Sequence, residues 1–276
     1  MISYNLRKLK SGLMQALVWL ALIMALIPLF SIILEVVLKG ASSINIDFLT
    51  KPTPTVGEVG GGAANAIQGT LITIGLASLV GIPVGLMSGI FLSEYSEARL
   101  SYAIRFFNDV LSGFPSIVIG IFGYTLIVLS FGFSVIAAAF ALSIIVIPIV
   151  TRTTEEALKL VPLTVREAAI SLGIPRWKTT VSVVLNAARK GIVTGVLLSF
   201  ARIAGESAPV LITMGYWRWW FAGLDKPVAN LALNVYIFAI SPFENWRALA
   251  WGSSLVLIVL VLGANVLVRI LTRERY

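Results

Sequence analysis

Two charged residues stand where an apolar sequence least tolerates them. Arg202 and Glu206 interrupt a run from Gly191 to Trp217 that holds no other Asp, Glu, Lys or Arg. Arg202 lies eleven residues beyond Gly191, about 17 Å at 1.5 Å per residue, near the middle of a hydrocarbon core about 30 Å thick. Glu206 follows four residues later, one turn along the same helical face. A charge at that depth costs about 2.5–3.5 kcal/mol on insertion scales, so the pair is expected to face the bundle interior or a water-filled cavity. Arg before Glu is also the less favourable i, i+4 order, so local helix stabilisation accounts for it poorly. The chemistry it suits is anion handling. A guanidinium offers a planar fork of donors that matches two oxygens of an oxyanion and never loses its charge, while Glu206 balances it when the site is empty. The plainer reading is a structural ion pair that joins helices.

Other chemistries are excluded by composition. The chain has no His and no Cys, which removes the common zinc, iron–sulfur and cysteine-nucleophile sites and any triad that needs His. No Gly-x-x-x-x-Gly-Lys-Ser/Thr loop occurs, so ATP phosphates cannot be cradled by that route and no resident cofactor is expected.

The elements that must position these residues are membrane spans. Of 276 residues, 58% are hydrophobic and 12% charged, about half the charge of a soluble domain. Stretches free of charge, each near the 20 residues that cross a bilayer, place six helices near 13–35, 66–92, 111–131, 133–151, 191–213 and 248–268. The charge-free run Val110–Thr151 is 42 residues long and is divided at Phe131-Gly132-Phe133, a turn signal. Pro227–Phe243, with 17 residues, reads as an external re-entrant or interfacial segment. With both termini inside, 15 Lys and Arg fall on the inner side and 5 on the outer, the bias that orients multi-pass proteins. The net charge of +8 therefore reports topology, and no nucleic-acid partner is expected. Tyr216-Trp217-Arg218-Trp219-Trp220, Trp246 and Trp251 read as an outer aromatic belt. Gly81, Gly85 and Gly89 form one stripe around Pro83, suited to close helix packing within the chain or between subunits.

One inner loop, Arg152–Lys190, is neither apolar enough to insert nor composed as a linker. Val165, Ala168, Ala169 and Leu172 recur at helical spacing, Gly173 suits a helix C-cap, and Pro175 suits the start of the next helix. Two short amphipathic helices joined at Gly173 are expected, against the membrane or presented to a partner.

Here a resemblance enters. Glu167-Ala168-Ala169, three residues, then Gly173 resembles the EAA loop of ABC importer permeases, which docks into the nucleotide-binding subunit. Where that signature ends in Ile-x-Leu-Pro, this chain has Val183-Val184-Leu185-Asn186. Gly113–Gly120, Arg152-Thr153-Thr154-Glu155-Glu156, Arg202–Pro209 and Ser241–Trp246 are similar to the phosphate-specific (Pst) branch, and to its PstA-type more than its PstC-type subunits. The likeness runs from about Asn65 to Arg269.

It implies an all-α permease fold of the MetI-like, type I importer kind. Its parts would be an N-terminal anchor helix and external loop over 1–65, a transmembrane core over 66–269 that includes the cytoplasmic coupling loop 153–190, and a cytoplasmic tail over 270–276. It implies a heterodimer with a PstC-like permease, two PstB-like subunits that alone bind ATP and magnesium, and an outer PstS-like phosphate-binding protein, in the plasma (inner) membrane. Arg202, Glu206 and Arg152 would line the substrate pathway, and Glu167, Ala168, Ala169 and Gly173 would form the ATPase-coupling face. Arg152 reads equally well as an arginine snorkelling at the inner interface. A phosphate ion near neutral pH carries at least one hydroxyl and sulfate none, so an ionised Glu206 is expected to accept from the first and repel the second. The alternatives are a permease for another oxyanion (sulfate, molybdate) or an ion-coupled secondary carrier or channel.

Overall fold

The computed structural model of the protein describes residues 4–56, 58 and 60–271, and every regular element among them is helical. In chain order these are α1 (Tyr4–Ser43), α2 (Ile46–Thr50), α3 (Ala64–Glu94), α4 (Arg99–Gly113), α5 (Ser116–Phe131), α6 (Val135–Lys159), α7 (Leu163–Ser171), α8 (Arg176–Ala204), α9 (Ala208–Thr213), α10 (Leu231–Ala239) and α11 (Glu244–Leu271). Five of them are long and apolar enough to cross a bilayer, and the bent pair α4–α5 makes six if counted as one span.

The centre is α6, and its neighbours reach it through glycine. The stripe Gly81, Gly85 and Gly89 is buried against it: a Cβ on Gly81 would lie 2.7 Å from Val146 Cβ, on Gly85 2.7 Å from Val150 Cβ, and on Gly89 2.6 Å from the Thr151 carbonyl. Packing within the chain therefore occupies the face that a subunit interface would have used. Since lipid tails are as apolar as leucine, such close backbone approach is what draws helices together in a bilayer. Polar residues on α3 answer their own backbone: Thr70 and Thr73 each donate to the carbonyl four residues back at 2.7 Å. The N-terminus of α6 is capped by Ser134, whose hydroxyl accepts from the Ala137 amide at 3.2 Å. Before it, Gly132 turns the chain at φ +85°, where the turn was expected.

Two expected spans are redrawn, both at proline. The third does not run unbroken from 111 to 131, because α4 and α5 meet at 105°. Pro115 disfavours helical backbone at the residue before it, and Phe114 is extended at φ −72°, ψ 134°. The fifth is not 191–213. Its helix begins at Arg176 and ends at Ala204, with Gly205, Glu206 and Ser207 outside any helix. Pro209 in a continued helix would lack an amide to donate and would press on the Gly205 carbonyl four residues back. The second amphipathic helix expected after Gly173 is likewise the inner end of α8, joined to its membrane part through a π-helical segment, Thr180–Val184.

At the end of the bundle expected to face outward, α10 spans nine residues, about 13 Å and too short to cross, which agrees with the re-entrant or interfacial reading of Pro227–Phe243. It packs with Phe48, Leu231, Phe238 and Leu249 in an outer cluster. Burial pushes the Tyr216 phenol up to about 12, so it stays protonated and donates to Asn234 Oδ1 at 3.0 Å. Trp217, Trp219 and Trp220 are about half exposed. Trp246 packs on Phe238, with centroids 4.7 Å apart. Trp251 lies beneath the Lys39 ammonium at 4.9 Å.

The glycine stripe yields a direct test. Gly85→Ala forces a methyl against Val150 and the Ile147 carbonyl and should destabilise the protein by about 1–3 kcal/mol in detergent unfolding. Gly75→Ala in the same helix meets nothing within 4 Å and should not destabilise; equal losses at both sites would refute the packing role.

Candidate functional site

The register of α8 on α6 places Arg202. A Cβ on Gly191 would lie 2.7 Å from Ala157 Cβ, and one on Gly195 would collide with Thr153 Oγ1. The helices are antiparallel, so four residues forward on α8 match four back on α6. Carried on, that register sets Arg202 level with Val146, beside the Gly81 contact and near the middle of α6. Arg202 shares the stripe of Gly191 and Gly195, at i, i+4 and i+11. It also stands about 9 Å outward of Arg152, by the rise of six residues. The helix–helix contacts thus assign the same mid-depth as the sequence arithmetic.

The expected pair forms with a different geometry. Arg202 Nη2 meets Glu206 Oε1 at 3.2 Å, but Glu206 belongs to the break after α8 and not to a shared helical face. The break is held by the amides of Gly205 and Glu206, which donate to the carbonyls of Arg202 and Ile203 at 3.3 Å each. The guanidinium is 55% exposed and the carboxylate side chain 14%. A cationic fork faces open space, with its counter-charge behind it. Non-helical backbone at membrane depth is tolerated only where protein or water lines it, so the break marks the polar side of the bundle.

Arg152 stands apart, at the inner end of α6. It borders a cavity of about 210 Å3 between α4 and α6, also lined by Arg105, Asn108, Asp109, Glu155, Glu156 and Lys159. Glu155 carries the cluster. Its Oε1 accepts from Arg105 Nη2 at 2.8 Å and from Lys159 Nζ at 2.6 Å. Arg105 further donates to the carbonyls of Ser96 and Leu92 at 3.1 and 3.3 Å, and so ties the end of α3 to α4 and α6. Arg152 pairs with Glu156 at 3.2 Å, both about two-thirds exposed, an arrangement of little worth to stability. Sequence reasoning passed over Arg105 and Lys159, which it counted only toward topology. The available signal was Glu155 among the quoted motif residues with Lys159 four positions on.

The residues expected to couple to an ATPase, Glu167, Ala168, Ala169 and Gly173, are gathered on α7 and the turn after it. Gly173 has φ +80°, and its amide donates to the Ile170 carbonyl at 2.9 Å while that of Ile174 donates to Ala169 at 3.2 Å. This double bond pattern is a Schellman cap, which needs a left-handed residue in Gly173's place. Ala169 packs inward, whereas Glu167, Ala168, Val165, Ile170 and Leu172 are exposed, as are Leu160, Leu163 and Trp177 nearby. The apolar positions at helical spacing are turned largely outward, as expected of a helix lying against the membrane or presented to a partner. Contiguous exposed apolar surface of this kind marks an interaction site.

Comparison with known proteins agrees with this geometry. The family described as binding-protein-dependent transport system inner membrane component matches residues 81–275. The phosphate transport system permease protein PstA of Yersinia pestis is 41% identical over 98% of this chain and 92% of its own length, and that of Haemophilus influenzae is 39% identical over 98% and 96%. Among solved structures, an inward-facing MetNI methionine ABC transporter chain aligns with a TM-score of 0.58 at 18% identity, covering 76% of this chain and 97% of its own. An amino acid ABC transporter chain aligns with a TM-score of 0.56 at 21% identity, covering 75% and 91%; at such identity the likeness concerns the fold. With its matched segment taking in the glycine stripe, the inner charged cluster, the Gly173 turn and the Arg202–Glu206 break, the chain belongs to the family of binding-protein-dependent transport system inner membrane components.

Proposed function

We propose that this multi-pass membrane protein is the PstA-type permease subunit of an ATP-driven importer of inorganic phosphate. The observation that carries the proposal is the Arg202–Glu206 pair, half open at a helix break level with the middle of α6, in a chain about 40% identical to PstA permeases over nearly its whole length. The chain moves its substrate and leaves ATP hydrolysis to partners.

The assembly in this proposal has a second, PstC-like permease completing the pathway, two PstB-like subunits binding ATP and magnesium beneath α7, and a PstS-like protein delivering phosphate outside. Both termini are cytoplasmic, supported by the inner excess of Lys and Arg. ATP binding closes the nucleotide subunits, and α7 passes that closure to α6 and α8. The bundle then turns the Arg202 region from inward to outward access. The guanidinium takes two phosphate oxygens in place of Glu206, and hydrolysis resets the cycle. Arg152, about 9 Å further in by helix rise, is a second point of attraction on the way out. Glu167, Ala168, Ala169 and Gly173 form the docking surface. A secondary carrier that acts alone leaves the exposed apolar surface of α7 unexplained; a permease for another oxyanion differs in which binding protein stimulates ATP hydrolysis.

In vesicles holding the purified complex, phosphate with its binding protein should stimulate ATP hydrolysis and uptake. Arg202→Lys keeps the charge but loses the two-pronged fork, and uptake should fall roughly ten- to hundredfold, the worth of one charge-assisted hydrogen bond, with assembly intact. Uptake driven by an ion gradient without ATP would overturn the proposal.

Glu206→Gln offers an amide that can donate to either anion, so preference for phosphate over sulfate should narrow. Unchanged discrimination in a competition assay would remove Glu206 from selectivity.

A further inference from the structure

The coupling helix hangs between two hinges. Upstream, Leu160, Val161 and Pro162 separate it from α6; downstream, Leu172 to Pro175 separate it from α8. Besides its hinges, α7 packs only along the inner end of α8 among the elements it contacts closely, so a further point of contact is needed before it can pass a push to α3 and α6. Arg166 reaches to that point. Its Nη1 pairs with Glu94 Oε1 at the inner end of α3, and its Nη2 donates to the Leu158 carbonyl at the inner end of α6 at 3.1 Å. The side chains of Arg166 and Glu94 are 17% and 22% exposed. They are less screened than the surface pairs Glu35–Lys39 and Asp47–Lys51, which are about half exposed. A guanidinium is suited to this double duty, because its fork serves a carboxylate and a helix-end carbonyl at once, and both helices present their negative C-terminal ends there.

We infer that Arg166 is the positioning residue that makes α7 move as one body with the inner ends of α3 and α6, through Glu94 on the first and the Leu158 carbonyl on the second. The inference rests on the proposed reading of α7 as the ATPase-coupling helix. Motion delivered to α7 then enters the α3–α6 unit, which the glycine stripe holds rigid, and does not dissipate in the hinges at Pro162 and Gly173. A break at Arg166 leaves the docking surface in place and uncouples it.

The test is phosphate moved per ATP hydrolysed by the full complex in vesicles. Glu94→Gln removes the ion pair and spares the bond to Leu158; it should lower that ratio about tenfold while complex yield and basal ATP hydrolysis stay within about twofold. Arg166→Lys, which keeps the charge but not the fork, should fall between Glu94→Gln and the unaltered protein. A ratio unchanged in Glu94→Gln overturns the inference. The absence of native Cys permits a second measurement that does not depend on the variants assembling. Spin labels at cysteines replacing exposed Leu172 and Tyr95 in an otherwise unaltered complex should hold one separation with and without ATP, to within about 3 Å. A larger change shows α7 moving independently of α3 and also overturns it. If phosphate and its binding protein fail to stimulate the unaltered complex, the assigned cargo fails, while the spin-label distance still decides the role of Arg166.

Discussion

Close backbone approach to α6 is the constraint on which the rest depends. That helix contains no glycine of its own, yet α3 meets it at Gly81, Gly85 and Gly89, α8 at Gly191 and Gly195, and α5 at Gly123 beside Ala141. In a bilayer the gain from helix contact is dispersion and shape, which fall steeply with distance. Helices packed this tightly slide little, so each glycine contact is also a statement of register. The level of Arg202 relative to Arg152 follows from two such contacts.

The breaks in helix continuity show the complementary rule. A membrane helix satisfies its backbone internally, and interruption is affordable only beside protein or water. The interruptions at Phe114–Pro115 and Gly205–Ser207 are each followed by a short helical element, and α5 and α9 pack on one another, with Gly120 against Pro209. The helices that follow the two breaks thus pack on one another. Beside the second break Arg202 projects with its counter-ion Glu206 partly buried behind it.

Charge is scarce, so its placement is informative. At the inner surface Arg105 with Glu155 braces α4 against α6, and Arg166 with Glu94 braces α7 against α3. These ties cross between elements and are partly buried, unlike the exposed pairs within α1 and α2. The inner end of the bundle is therefore held together by charge where its centre is held by glycine.

Six apolar spans, counting the bent pair as one, the turn at Gly132, the Gly173 cap and the pairing of Arg202 with Glu206 were legible in the sequence. Each depends on local rules: hydrophobic length, left-handed backbone, and the short separation of two opposite charges. Pro115 and Pro209 were equally visible, but whether a proline kinks a span or ends it depends on what can cover the exposed backbone, and that cover comes from residues distant in sequence. For the same reason Arg105, Glu94 and Arg166 went unremarked, since their partners lie 50 and 72 positions away. The sequence by itself determined what must be buried and which charges are costly. Only the tertiary structure decided which helices supply the cover and the counter-charge, because close packing and ion pairing are set by distance in space, which separation along the chain does not encode.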